Sequence, residues 1–137
     1  MEPLDAENLD EKYVAVNGLN IRYIVRGSGS PLVLIHGFGE FLEVWWLNIA
    51  TLSEHYQVYA MDMPGHGLSD KPKIDYDLAF ATEFASGFAQ ALGIEHASLI
   101  GHSLGGIVAT STAINFPEKV DKLILVDSAG LTNNESD

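Results

Sequence analysis

The stretch Ile100-Gly101-His102-Ser103-Leu104-Gly105-Gly106 decides how the rest of the chain is read. An apolar segment, Ala97 to Ile100, runs into it, and a small-residue segment, Leu104 to Asn115, runs out of it at helical length. A serine between glycines at such a junction has the G-x-S-x-G pattern of a sharp strand-to-helix turn that pushes the hydroxyl outward. The glycines are needed because a Cβ there would collide with the neighbouring strand and helix, and the serine is expected to carry a strained backbone.

Working outward, Leu32-Val33-Leu34-Ile35 is a continuous apolar run of the kind that forms a strand buried on both faces of a parallel sheet. Gln57 to Met61 and Lys122 to Val126 read as further strands. Phe41, Leu42, Trp45, Trp46, Ile49 and Leu52 recur at helical spacing, as do Ala81, Phe84, Ala85, Phe88 and Leu92. Both sets predict amphipathic helices with their aromatic positions in the core. Phe116-Pro117 ends the third helix, because proline disfavours helical geometry in the residue before it. Near the start, Tyr13 to Val16 and Leu19 to Val25 flank Asn17-Gly18, a dipeptide suited to a tight hairpin. The pattern predicts one α/β domain over residues 1–137, a mostly parallel sheet with an N-terminal hairpin, flanked by helices. Residues 1–11 read as a frayed acidic leader, and residues 131–137 as a polar tail.

Composition narrows the function classes. With 47% hydrophobic residues in 137, the chain can bury a sizeable core, and no apolar run approaches the length of a membrane span. Its acidic start is the opposite of a secretory signal's basic one. Seven basic residues against 19 acidic ones give a formal charge of −12, which argues against nucleic acid and anionic membrane surfaces as partners. The absence of cysteine removes disulfides, thiol catalysis and thiolate metal sites, and is compatible with the cytoplasm, the expected location.

Three loops follow three successive predicted strands, so they are expected to open on one edge of the sheet, where ligands of open α/β sheets bind. They are His36-Gly37-Phe38-Gly39, Asp62-Met63-Pro64-Gly65-His66-Gly67-Leu68-Ser69, and the turn around Ser103. In this order they resemble the HG-x-G, D-x-x-G-x-G-x-S and GHS-x-GG motifs of the α/β-hydrolase superfamily. The resemblance runs from about Tyr13 to Asp127 and is closest to the esterase, lactonase and carbon–carbon-bond hydrolase branch. Haloalkane dehalogenases and epoxide hydrolases of that fold carry aspartate at the elbow, so Ser103 argues against both. The resemblance implies that Ser103 is the nucleophile and that the backbone N–H groups of Phe38 and Leu104 form the oxyanion hole. It implies that Gly37 and Gly39 turn the first loop's amide inward, and that the Asp62 to Ser69 loop braces the site floor. No cofactor and no metal are expected.

In the superfamily the triad order is serine, acid, histidine. The resemblance places the histidine after an eighth strand, and this chain is expected to end just after the sixth, without that histidine and without the lid that shapes the substrate pocket. Asp127 stands where some relatives place the acid, with a structural or capping role favoured. His102 is expected to point away from the serine and His36 to pack inward, which leaves His66 as the least implausible substitute base. His55 and His96 fall near the opposite edge. No pair among His36, His66 and His102 has helical metal-ligand spacing. The expectation is a weak serine hydrolase acting on small activated carboxylic esters. The alternative is a catalytically inert, self-associating fragment, engineered or reconstructed. An exposed Leu123 to Val126 edge and an uncovered Trp45/Trp46 helix face would favour a homodimer by sheet continuation or element exchange.

Overall fold

A computed structural model describes residues 10–131. Strands β1 (Lys12–Val16) and β2 (Leu19–Arg26) form the expected antiparallel hairpin, with left-handed Asn17 and Gly18 at its turn (φ 50° and 82°). Strands β3 (Pro31–Ile35), β4 (Gln57–Met61), β5 (Ala97–His102) and β6 (Val120–Val126) then alternate with helices α1 (Trp46–Leu52), α2 (Leu78–Ala91) and α3 (Leu104–Asn115). The strand order is β1-β2-β4-β3-β5-β6, antiparallel from β1 to β4 and parallel from β4 to β6.

The apolar runs are continuous because helices cover both faces of the sheet. On one face Leu32, Leu34, Val58 and Ala60 pack with Leu42, Trp45 and Ile49. On the other, Val33, Ile35, Tyr59, Met61 and Leu99 meet Phe84 and Phe88 of α2 and Val108 of α3. Alternate residues of one strand thus belong to different cores, as the pleat requires. The parallel register of β3 between β4 and β5 brings the carboxyl ends of all three to one edge, so His36, Asp62 and Ser103 emerge together.

Some local expectations are corrected. The Phe41 to Leu52 stripe is not one helix. Leu42–Trp45 forms a 3-10 turn before α1, because the Leu42 N–H is taken by Asp62 Oδ1 at 2.7 Å instead of starting a helical ladder. Only Leu42, Trp45 and Ile49 of that stripe are buried, and Phe41 is exposed. Trp45 is therefore core, and only Trp46 of that pair is partly open. The predicted leader and tail fall mostly outside the described residues. Within them, Glu11 is anchored, its carboxylate accepting from Arg22 Nε at 2.8 Å. The β6 strand pairs only with β5 among the described residues, and Leu123, Ile124 and Val126 are 36–42% exposed. No helix of the described residues is long and apolar enough to cross a membrane.

Candidate active site

Ser103 sits between the last residue of β5 and the first of α3 with φ 52° and ψ −116°. This backbone is unfavourable for any residue with a Cβ and costs about 1–3 kcal/mol. Neighbouring contacts hold it there. The Ser103 N–H donates to the Val126 carbonyl at 3.1 Å, and the Ser103 carbonyl accepts from Gly106 and Ala129 at 2.9 and 3.2 Å. The end of β6 and the segment after it therefore brace the turn, a support that no local motif announced. Close approach sets the glycines. A Cβ on Gly101 would stand 2.2 Å from the Gly105 carbonyl oxygen, and one on Gly105 would stand 2.1 Å from the Ile35 carbonyl oxygen. We expect Ser103→Gly to relieve the backbone and raise unfolding stability by roughly 1 kcal/mol in urea titrations. A loss of stability there would show that the turn is not strained.

Of the two expected oxyanion donors, Phe38 stands on the loop after β3 and Leu104 directly follows Ser103. Leu104 is the first residue of α3, where N–H groups have no intrahelical partner. Neither its N–H nor that of Phe38 donates to any described residue, and the Phe38 ring is exposed. The positive end of the α3 dipole adds to the Leu104 donor.

Glu40 ties the two loops together, a role sequence reasoning did not find. One carboxylate oxygen, Oε2, accepts from the Gly37 N–H at 2.7 Å and lies 3.1 Å from His102 Nδ1. A Cβ on Gly37 would be 3.0 Å from that oxygen and 3.2 Å from Ser103 Cβ, so the carboxylate sits close beside the elbow. Burial pushes the Glu40 pKa up, but the Gly37 and His102 hydrogen bonds outweigh it and hold the carboxyl below the ordinary range.

Four of the five histidines are otherwise engaged. His36 is fully buried, with Nδ1 against the Gly37 carbonyl at 2.7 Å and Nε2 accepting from the Met63 N–H at 3.0 Å. The latter contact makes Nδ1 the protonated nitrogen of a neutral ring. Burial pushes its pKa below the ordinary 6.5. The folded chain therefore resists a proton that the unfolded chain accepts. Through His36, stability should be constant well above pH 6.5 and fall as the pH drops below it. Urea midpoints measured down to about pH 5.5 check this, and His36→Gln should flatten the slope. His66 places Nδ1 3.0 Å from the Pro64 carbonyl, and its ring packs against His36 and Phe38. His96 pairs with Asp121. Among the described residues no side chain hydrogen-bonds the Ser103 hydroxyl, so none of the weighed substitutes contacts it directly. Asp127 has a left-handed backbone (φ 44°), and its side chain makes no hydrogen bond or ion pair with a described residue, so no capping role is seen.

Asp62 anchors its own loop and the turn at Leu42, the bracing that the family resemblance implied. Asp62 is fully buried; Oδ1 accepts from Leu42 and Oδ2 from Leu68, at 2.7 and 2.9 Å. The Ser69 hydroxyl donates to the Asp62 carbonyl and accepts from the Arg22 N–H. No cluster of three or more His, Asp or Glu suited to a metal occurs among the described residues.

A serine at a strained strand-to-helix turn, an HG-x-G loop beside it and a parallel sheet beneath define a class of fold. A family profile described as the alpha/beta hydrolase fold matches residues 30–137, and the chain belongs to that family. It is 39% identical over 123 residues to the uncharacterized protein Rv2715 of Mycobacterium tuberculosis, covering 90% of this chain and 36% of that protein. Among solved structures it resembles a bacterial membrane phospholipase A (TM-score 0.89, 40% identity, 92% of this chain and 42% of that one). It also resembles a variant of the meta-cleavage product hydrolase CumD of Pseudomonas fluorescens IP01 (TM-score 0.87, 35% identity, 93% and 48%). The chain thus spans less than half the length of these relatives.

Proposed function

We propose that this chain carries the nucleophile and oxyanion-hole portion of a serine hydrolase acting on small carboxylic esters. The observation that carries the reading is Ser103, held at φ 52° and ψ −116° at the mouth of α3, with the Phe38 and Leu104 N–H groups unpaired among the described residues. The Ser103 Oγ attacks the ester carbonyl carbon, and the carbonyl electrons move onto an oxygen received by the Phe38 and Leu104 N–H groups. Collapse expels the alcohol and leaves an acyl-serine, which water then hydrolyses to the acid. With no described group on the Ser103 hydroxyl, its proton passes to solvent and the first step is slow. An oxyanion hole and binding alone sustain roughly 10³ to 10⁴-fold acceleration over water in enzymes stripped of a triad member. The similarity to a phospholipase and a hydrolase supports a hydrolytic reading without specifying the ester. Weak turnover of p-nitrophenyl acetate is expected, falling to background in Ser103→Ala. Activity unchanged by that substitution would make this mechanism wrong.

A second reading, an inert fold that self-associates, is favoured by one observation, a β6 edge that has no partner among the described residues, with Leu123, Ile124 and Val126 exposed. An unpaired edge templates strand addition, and a second copy is the occupant proposed. Light scattering of the 137-residue chain at micromolar concentration should then give a dimer mass. A strictly monomeric mass contradicts it.

A further inference from the structure

Between the N-terminal halves of α2 and α3 and the Met63–His66 segment lies a cavity of about 240 Å³. Phe80, Ala81 and Phe84 of α2 form one wall, and Leu104, Ile107 and Val108 of α3 the other. Its few polar neighbours are committed elsewhere. The Asp77 carboxylate caps α2 by accepting from the Phe80 N–H at 2.8 Å, the Tyr76 hydroxyl donates to the Pro72 carbonyl, and His66 Nδ1 is turned to the Pro64 carbonyl. A charged or phosphorylated guest would find no lysine or arginine in this lining, whereas hydrocarbon would be matched on both walls. Leu104 links the cavity to the chemistry, since the residue that lines it also presents the unpaired N–H beside Ser103.

We propose that this cavity receives the apolar acyl chain of the ester, which fixes the substrate class as medium-chain acyl esters. The proposal rests on the reading of Ser103 as nucleophile and of the Leu104 N–H as a carbonyl-oxygen donor. A carbonyl held at Leu104 lets its chain continue into the space between α2 and α3. At roughly 30 Å³ for a group the size of a water or methylene, the cavity holds about eight such groups. Each methylene moved out of water into it strengthens binding about 3- to 4-fold until the space is filled.

The probes are neutral, unreactive acyl amides, namely acetamide, butanamide, hexanamide, octanamide and decanamide, titrated into the 137-residue chain and followed by amide chemical shifts. Affinity should climb at least about 700-fold from acetamide to octanamide and level off at decanamide. Shifts should centre on Ala81, Leu104 and Ile107. Ala81→Trp, which fills the cavity, should abolish the climb, and Ser103→Ala should retain it. Affinity independent of chain length, or shifts centred elsewhere, overturns the assignment; the wild-type length series decides this even if Ala81→Trp fails to fold. Octanamide binding without Ser103-dependent ester hydrolysis supports the cavity and overturns the nucleophile reading alone. Ester hydrolysis with no chain-length dependence of amide binding does the reverse.

Discussion

Replacing Arg22 with methionine is expected to lower the free energy of unfolding by about 3–5 kcal/mol, a large share of the total for a domain of this size. The guanidinium is 6% exposed and reaches three carboxylates: Glu11 through Nε at 2.8 Å, Glu43 through Nη2 at 2.7 Å and Asp62 through Nη1 at 3.3 Å. These carboxylates stand just before β1, in the 3-10 turn before α1 and just after β4. Burial alone would lower the Arg22 pKa, but the hydrogen bonds to Glu43 and Glu11 and the charges of Glu43 and Asp62 raise it. Glu11 and Glu43 are 41% and 31% exposed, so solvent screens their share. Most of the loss comes from Asp62, fully buried and left without its cation while still holding Leu42 and Leu68. The substitution should move the urea midpoint with little change in slope, and Arg22→Lys should recover only part, since an ammonium cannot fork to three partners. A loss under about 1 kcal/mol would show that the network does not hold these segments.

Gly105→Ala should be comparably damaging, and its sign tests the close approach of α3 to the sheet. Helix propensity alone would favour alanine by up to about 1 kcal/mol. Against this, the new Cβ would stand 2.1 Å from the Ile35 carbonyl oxygen and 2.6 Å from that of His36, both backbone atoms that side-chain rotation cannot move. Relief requires α3 to shift away from β3, which would also displace the Leu104 N–H. We expect a loss of about 3 kcal/mol in urea unfolding, at the upper end for overpacking. Stabilisation instead would mean that the α3–β3 contact is looser than described.

Much of the fold was legible because its signals are local. The apolar runs of β3 and β4, the Asn17-Gly18 turn and the glycines around Ser103 each constrain their own backbone. Their order along the chain then brings three loops to one edge. The break at Leu42 was not legible, because an apolar stripe records spacing, whereas the competing Asp62 bond comes from 20 residues away. Glu40 and Arg22 were missed for the same reason, since their partners are distant in sequence. Arg22 did leave a trace, a lone charge inside the apolar Leu19 to Val25 run, which burial would require to be paired. In the candidate site, Ser103 and the two loops were readable as motifs. The bracing of Ser103 by Val126 and Ala129 was not, because it depends on how β6 lies beside β5.

The most direct test is to treat the 137-residue chain with a fluorophosphonate and map the modified residue by mass spectrometry. A positioned but unassisted serine predicts slow modification at Ser103 alone, lost in Ser103→Ala. Modification at another residue, or none at Ser103 after prolonged exposure, would contradict it.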